Sequence, residues 1–189
     1  MCHLKSGQYD PRFRRWYVET ATPMPKDLVI VLDRSGSMLE DNRLMLARET
    51  ARTVIDSLTP NDRIGVVVFS NEAETAPGTY KDSCYRERLA FATTENTRYL
   101  ADFIDGVAAH GGTNYTDALL KAFALLRNSE GLTSDRGRRR KVILFLTDGE
   151  PSPFTEQIGE NILKTVWRLN RQLDNRVVLL TYGIGDGMF

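Results

Sequence analysis

Imidazole and thiol are nearly absent from this chain, with two histidines (His3, His110) and two cysteines (Cys2, Cys84) in 189 residues. The cysteines lie far apart and form no metal-ligand pattern. They read as two free thiols or as one disulfide, and the redox compartment stays open. Neither histidine has a nucleophile pair beside it, so nothing supports Ser-His-Asp chemistry. Net charge is lacking too: 25 Lys and Arg balance 25 Asp and Glu. That argues against a nucleic-acid groove, which carries a basic excess. No apolar run approaches the roughly eighteen residues of a membrane span, and "MCHLKSGQYD" has no apolar segment of a secretory signal. What remains is a globular composition, 41% hydrophobic and 26% charged. The length suits one well-buried domain and is short for two.

Four short apolar runs, rich in β-branched residues, stand out: Leu28–Leu32, Ile64–Phe69, Val142–Leu146 and Val177–Tyr182. Runs of that kind suit strands buried on both faces. Between them, Leu44, Ala47, Ala51, Val54, Ile55 and Leu58 recur at helical steps, and Thr59-Pro60-Asn61-Asp62 ends that helix. Leu100, Phe103, Ile104 and Val107 make a second stripe. Leu119, Ala122, Phe123 and Leu126 make a third, and Ile158, Ile162, Val166, Leu169 and Leu173 a fourth. Strand and helix in alternation predict an α/β fold, an open doubly wound, mainly parallel sheet with helices on both faces. The turn-rich stretch Asn71–Tyr85 returns as one antiparallel edge strand. "SDRGRRRK", Ser134 to Lys141, reads as a solvated loop. "GIGDG", Gly183 to Gly187, lacks the third glycine and following helix of a dinucleotide loop and reads as a turn.

In an open parallel sheet, ligands sit outside the carboxyl ends of the strands. Three stretches meet that edge: "DRSGS" after the first strand, "HGGTNYTDAL" opening a helix, and "LFLTDGE" after a later strand. They supply the carboxylates of Asp33 and Asp148 and the hydroxyls of Ser35, Ser37 and Thr113. All are hard oxygen donors, which suit Mg²⁺, Mn²⁺ or Ca²⁺ and not Zn²⁺. Two carboxylates roughly cancel a divalent charge without filling six positions, so water or another molecule's carboxylate takes the rest. Each residue alone is commonplace in caps and turns. Asn114, Thr116 and Asp117 read as helix-start residues.

"DRSGS", the threonine of "HGGTNY" and the aspartate of "LTDGE" resemble the metal-ion-dependent adhesion site of von Willebrand factor type A domains, a Rossmann-like fold. The resemblance runs from about Lys26 to the chain end. It implies one divalent cation, Mg²⁺ first, at Asp33, Ser35, Ser37, Thr113 and Asp148, with some carboxylate contact through water. It also implies a domain over 26–189 lacking its last helix and strand, preceded over 1–25 by a linker or the tail of a Cache-like segment. "YDPRFRRWY" is similar to the terminal motif of Cache sensor domains, as in calcium-channel alpha-2-delta-like proteins. That second resemblance makes Arg14 and Trp16 candidates for a small amino-acid pocket in a longer protein, with Arg15 where the group has proline. The alternative is a linker whose aromatics pack on the domain.

These readings imply a non-catalytic, adhesion-type module of a cell-surface or extracellular protein. Its partner presents Asp or Glu to the metal, and flanking Cache segments of its own parent are a second candidate. No nucleic acid is expected. Two other functions compete. One is a metal-dependent hydrolase or phosphatase, for which Glu150 is the nearest general base. The other is a domain whose metal only ties loops together.

Overall fold

The computed structural model describes residues 24–77, 86–130, 139–149 and 159–185. Arg14, Trp16, Cys2, Cys84, His3 and Glu150 lie outside the described residues. The four apolar runs form the parallel core of one sheet: β1 (Lys26–Asp33), β2 (Arg63–Phe69), β5 (Arg140–Thr147) and β6 (Val177–Gly183). Two short strands, β3 (Ala73–Thr75) and β4 (Ala90–Phe91), pair antiparallel with β2. The order is β3-β2-β1-β5-β6, with β1 paired in parallel to both β2 and β5. β3 is the antiparallel edge strand expected from Asn71–Tyr85. β4 is too short to leave a periodic signature.

Alternation along β1 sends Leu28, Ile30 and Leu32 to one face and Val29 and Val31 to the other. The first face is covered by α1 (Arg43–Asp56) through Leu44, Ala47, Ala51 and Ile55, and by α2 (Thr94–Asp105) through Leu100 and Ile104. The second is covered by α3 (Tyr115–Asn128) and α4 (Gly159–Arg171), where Phe69, Tyr115 and Phe145 pack as a trio at 5.2 to 5.7 Å. The doubly wound architecture follows from this burial. Val178, Leu180 and Tyr182 on β6 are exposed. No helix among the described residues is long and apolar enough to cross a membrane.

Close packing of α3 on β2 leans on Gly65. A Cβ there would stand 2.8 Å from Leu89 Cδ2 and 3.0 Å from Leu125 Cδ1. Gly65→Val is therefore expected to cost about 1–3 kcal/mol through overpacking, read as a lowered urea midpoint. An unchanged midpoint would mean the two leucines swing away freely.

The amino ends of the strands hold a buried ionic cluster. Asp27 accepts from Arg63 Nε at 2.8 Å, Arg63 Nη2 at 2.6 Å and Arg139 Nε at 2.6 Å. Arg63 Nη1 donates to the Ser129 carbonyl at 2.8 Å, and Arg139 Nη2 to the carbonyls of Lys26 and Asn61 at 3.0 and 2.7 Å. Lys141, also buried, pairs with Glu130 at 2.9 Å. Arg139 and Lys141 thus depart from the solvated loop expected of "SDRGRRRK". Each has a carboxylate within reach, buried Asp27 for Arg139 and the exposed Glu130 for Lys141, which sequence distance hides.

Candidate metal centre

The opposite, carboxyl ends of β1 and β5 gather the oxygen donors. β1 leads to α1 and β2 on one side, whereas β5 and β6 lie on the other, so the strand order reverses beside β1. Asp33 is the last residue of β1 and fully buried. Its Oδ1 accepts the Ser35 backbone N–H at 2.8 Å, which folds the "DRSGS" loop back on the strand. Its Oδ2 accepts the Thr147 hydroxyl at 2.6 Å, and Thr147 in turn shares a 2.9 Å hydrogen bond with the Tyr115 hydroxyl. Ser35 Oγ and Ser37 Oγ stand 3.0 Å apart, so the two hydroxyls do face one way.

The Thr113 loop is docked on this one by its backbone. Gly36 N–H donates to the Gly111 carbonyl at 2.9 Å, and His110 N–H to the Arg34 carbonyl at 2.7 Å. The same loop is pinned to the end of β2: Asn114 N–H donates to the Ser70 carbonyl and Gly112 N–H to Asn71 Oδ1, both at 2.8 Å. Gly111 has φ +81°, and a Cβ there would press on Asn71 at 3.2 Å, so glycine is required. Thr113 is buried within this loop, immediately before α3. Asn114 caps α3 by accepting from Asp117 N–H at 3.1 Å, as its helix-start reading expects.

Asp148 directly follows β5 and is buried. Its Oδ2 lies 3.5 Å from Arg43 Nη1, while Oδ1 is buried with no hydrogen-bond partner. Burial pushes the Asp33 carboxyl above its ordinary range. Hydrogen bonds from Thr147 and Ser35 pull it down, and the charge of Asp148 pushes it up again. The two carboxylates therefore repel one another across the site. A divalent cation fits such a place: two buried, mutually repelling carboxylates, one orphaned oxygen and paired hydroxyls. Among the described residues no three of His, Cys, Asp and Glu cluster as metal ligands. The donor set therefore depends on hydroxyls.

Two contributors were invisible in sequence. Thr147 stands inside the "LTDGE" stretch with no role read for it, and only the β1–β5 pairing sets its hydroxyl against Asp33. Arg43 stands one position before the apolar stripe that opens at Leu44 and belongs to no motif. Beside the site a cleft of about 380 Å³ is lined by Arg34, His110, Asp102, Phe103 and Val107, among others.

A family model for the von Willebrand factor type A domain matches residues 28–150. Human inter-alpha-trypsin inhibitor heavy chain H4 is 33% identical over 168 residues, 88% of this chain and 16% of that protein. Human voltage-dependent calcium channel subunit alpha-2/delta-2 is 29% identical over 182 residues, 96% of this chain and 14% of that protein. The chain thus spans about a sixth of these relatives' length. A von Willebrand factor type A structure from Catenulispora acidiphila superposes with TM-score 0.66 at 22% identity, covering 86% of this chain and 34% of the other. The manganese-loaded TRAP protein of Plasmodium vivax gives 0.58 at 18%, covering 87% and 59%.

Proposed function

The chain belongs to the von Willebrand factor type A family, and on that premise we propose that it is a non-enzymatic, metal-dependent protein-binding module. Asp33, Ser35, Ser37, Thr113 and Asp148 hold one divalent cation, with Mg²⁺ the first candidate and Ca²⁺ or Mn²⁺ the others. The observation that carries this reading is the buried Asp148 Oδ1, left without a partner next to a second buried carboxylate. An orphaned charged oxygen is costly in a fold and recurs where a ligand completes it. That a protein of the same fold, the TRAP protein, was obtained loaded with manganese is in keeping with a divalent ion here.

When bound, the cation supplies an open position for one more anionic oxygen, which a partner's Asp or Glu fills. The chain's own residues set the terms of that contact. The Thr147 and Ser35 bonds fix the Asp33 carboxylate, and the Gly36–Gly111 bond joins the loop of the serines to that of Thr113. A pull on the partner's carboxylate is then felt at the start of α3. Whether that shifts α3 depends on two loop arrangements with different affinity for the partner. Side chains flanking the partner's carboxylate lie over the Arg34–His110 cleft.

We place this module, from about Lys26 onward, within a longer cell-surface or extracellular protein, as the length of its relatives suggests. Residues 1–25 are a linker or the tail of a Cache-like segment, and in the second case Arg14 and Trp16 serve a pocket completed elsewhere in that parent. Binding to an immobilised acidic peptide, measured with Mg²⁺ and then with chelator, tests the central claim. Chelation should abolish binding, and Ser35→Ala and Thr113→Ala should each weaken it about tenfold or more. Binding indifferent to chelator and to both substitutions would reduce the site to a tie between loops. Turnover of a phosphoester by the metal-loaded chain would favour the hydrolase instead.

A further inference from the structure

Arg43 is an odd residue to find where it is. As the first residue of α1 it sets a cation at the positive end of a helix dipole, with no acidic residue in that first turn to offset it. Its side chain is only 15% exposed and reaches the candidate metal site, where Nη1 lies 3.5 Å from Asp148 Oδ2. Nη2 is 3.7 Å from both Glu40 Oε2 and Asp41 Oδ2, two solvent-exposed carboxylates. Nε is buried and has no partner. Gly185, just after β6, lies against this group. A Cβ at Gly185, whose φ is +142°, would lie 3.3 Å from Arg43 Nε. Gly185 thus brings bare backbone against the guanidinium.

The looseness of these contacts separates Arg43 from the structural arginines of the same molecule. Arg63 and Arg139 grip Asp27 at 2.6 to 2.8 Å. Arg43 touches three carboxylates and reaches none closer than 3.5 Å. Charge-assisted hydrogen bonds that hold a fold are nearer 2.7–2.9 Å. Arg43 is therefore a nearby positive charge for Asp148, and Asp148 is not clamped by it.

We propose that Arg43 is a built-in counter-ion that competes with the divalent cation for Asp148 and so sets the affinity of the site. The proposal rests on the metal-binding reading above. Without metal, the guanidinium balances part of the charge of Asp148. With metal, the same guanidinium opposes a dication at short range in a poorly screened place. Both effects weaken cation binding, one by stabilising the metal-free state and the other by repelling the ion. Glu40 and Asp41, exposed on the adjoining turn, draw Arg43 away when Asp148 is taken by the metal.

The test is calorimetric titration of the whole chain with Mn²⁺ and with Mg²⁺, at fixed pH and ionic strength, for wild type, Arg43→Gln and Arg43→Lys. Arg43→Gln should bind the ion about tenfold more tightly, while its metal-free melting temperature falls. Arg43→Lys keeps the charge and should stay within about threefold of wild type. Affinity of Arg43→Gln equal to or weaker than wild type overturns the proposal and leaves the metal site standing. A wild-type chain that binds neither ion removes both. Should Arg43→Gln not fold, the wild-type Arg43 Nε–H resonance decides. It should shift on Mg²⁺ addition with the calorimetric midpoint, and a resonance unmoved at saturation overturns the proposal.

Discussion

Asp27→Ala is expected to lower the unfolding free energy by about 3–5 kcal/mol, because it strands two buried guanidiniums. Arg63 and Arg139 are 4% and 7% exposed at their side chains and share this one carboxylate. Their remaining bonds go to backbone carbonyls, which satisfy donors and do not neutralise charge. The cluster joins β1, the start of β2, the turn at Asn61 and the entry to β5, so its loss would be felt across the sheet. Urea denaturation should show a lower midpoint with an unchanged slope. Asp27→Asn, which keeps an acceptor but not the charge, should lose less than Asp27→Ala. A loss below about 1 kcal/mol for Asp27→Ala would mean that the arginines reach water in the folded state.

Asp33→Asn should act in the opposite direction on the metal-free chain and remove its response to metal. The folded Asp33 carboxyl binds its proton more tightly than the unfolded one, whose ordinary value is 3.8. Stability therefore falls as pH rises from 3.8 through the raised folded value, and the ionised form remains a burden above it. Asn removes that burden. It keeps an oxygen for Ser35 N–H, and the Thr147 hydroxyl can turn to accept from its amide. Metal-free Asp33→Asn should accordingly melt higher than wild type at neutral pH.

Asp62 contributes with the other sign. Burial raises its carboxyl, but N–H groups of Thr59 and Lys26, the Thr59 hydroxyl and the Lys26 charge outweigh burial and hold it below 3.8. Its contribution is present above 3.8 and is lost as pH falls through the lowered folded value. Melting curves from pH 3 to 8 should separate the two, since only the Asp33 component disappears in Asp33→Asn. With metal at a hundred times its Kd, wild type should gain about 2.7 kcal/mol, and Asp33→Asn close to nothing. An equal gain in both would exclude Asp33 from the metal.

Much of this was legible beforehand because burial on both faces leaves a local trace. Leu28–Leu32, Ile64–Phe69 and Val142–Leu146 each became a parallel strand buried on both faces or nearly so, where apolar residues are favoured at every position. Val177–Tyr182 became a parallel strand too, but as the outer strand β6 it exposes Val178, Leu180 and Tyr182, so its apolar run did not mark burial on both faces. Helix stripes at 44–58 and 119–126 were equally plain, although α1 begins and ends near its pattern and not on it. β4 was not visible, because two residues cannot show a period. The burial of Arg139 and Lys141 was not visible either. A charged residue looks solvated until a distant partner is brought to it.

The sequence by itself determined the layering of the domain and which five oxygen-bearing residues stand at the carboxyl edge. Those follow from periodicity and from positions just after strands or, for Thr113, just before a helix, which are properties of neighbours along the chain. Tertiary structure alone decided that Thr147 fixes Asp33, that Asp148 keeps an orphaned oxygen, and that Arg43 stands beside it. The first and last are contacts between residues 114 and 105 positions apart, and the orphaned oxygen is what those contacts leave over, all set by the order β2-β1-β5 and the path of α1. Distance in space, on which charge and hydrogen bonding depend, is written only once the strands have paired.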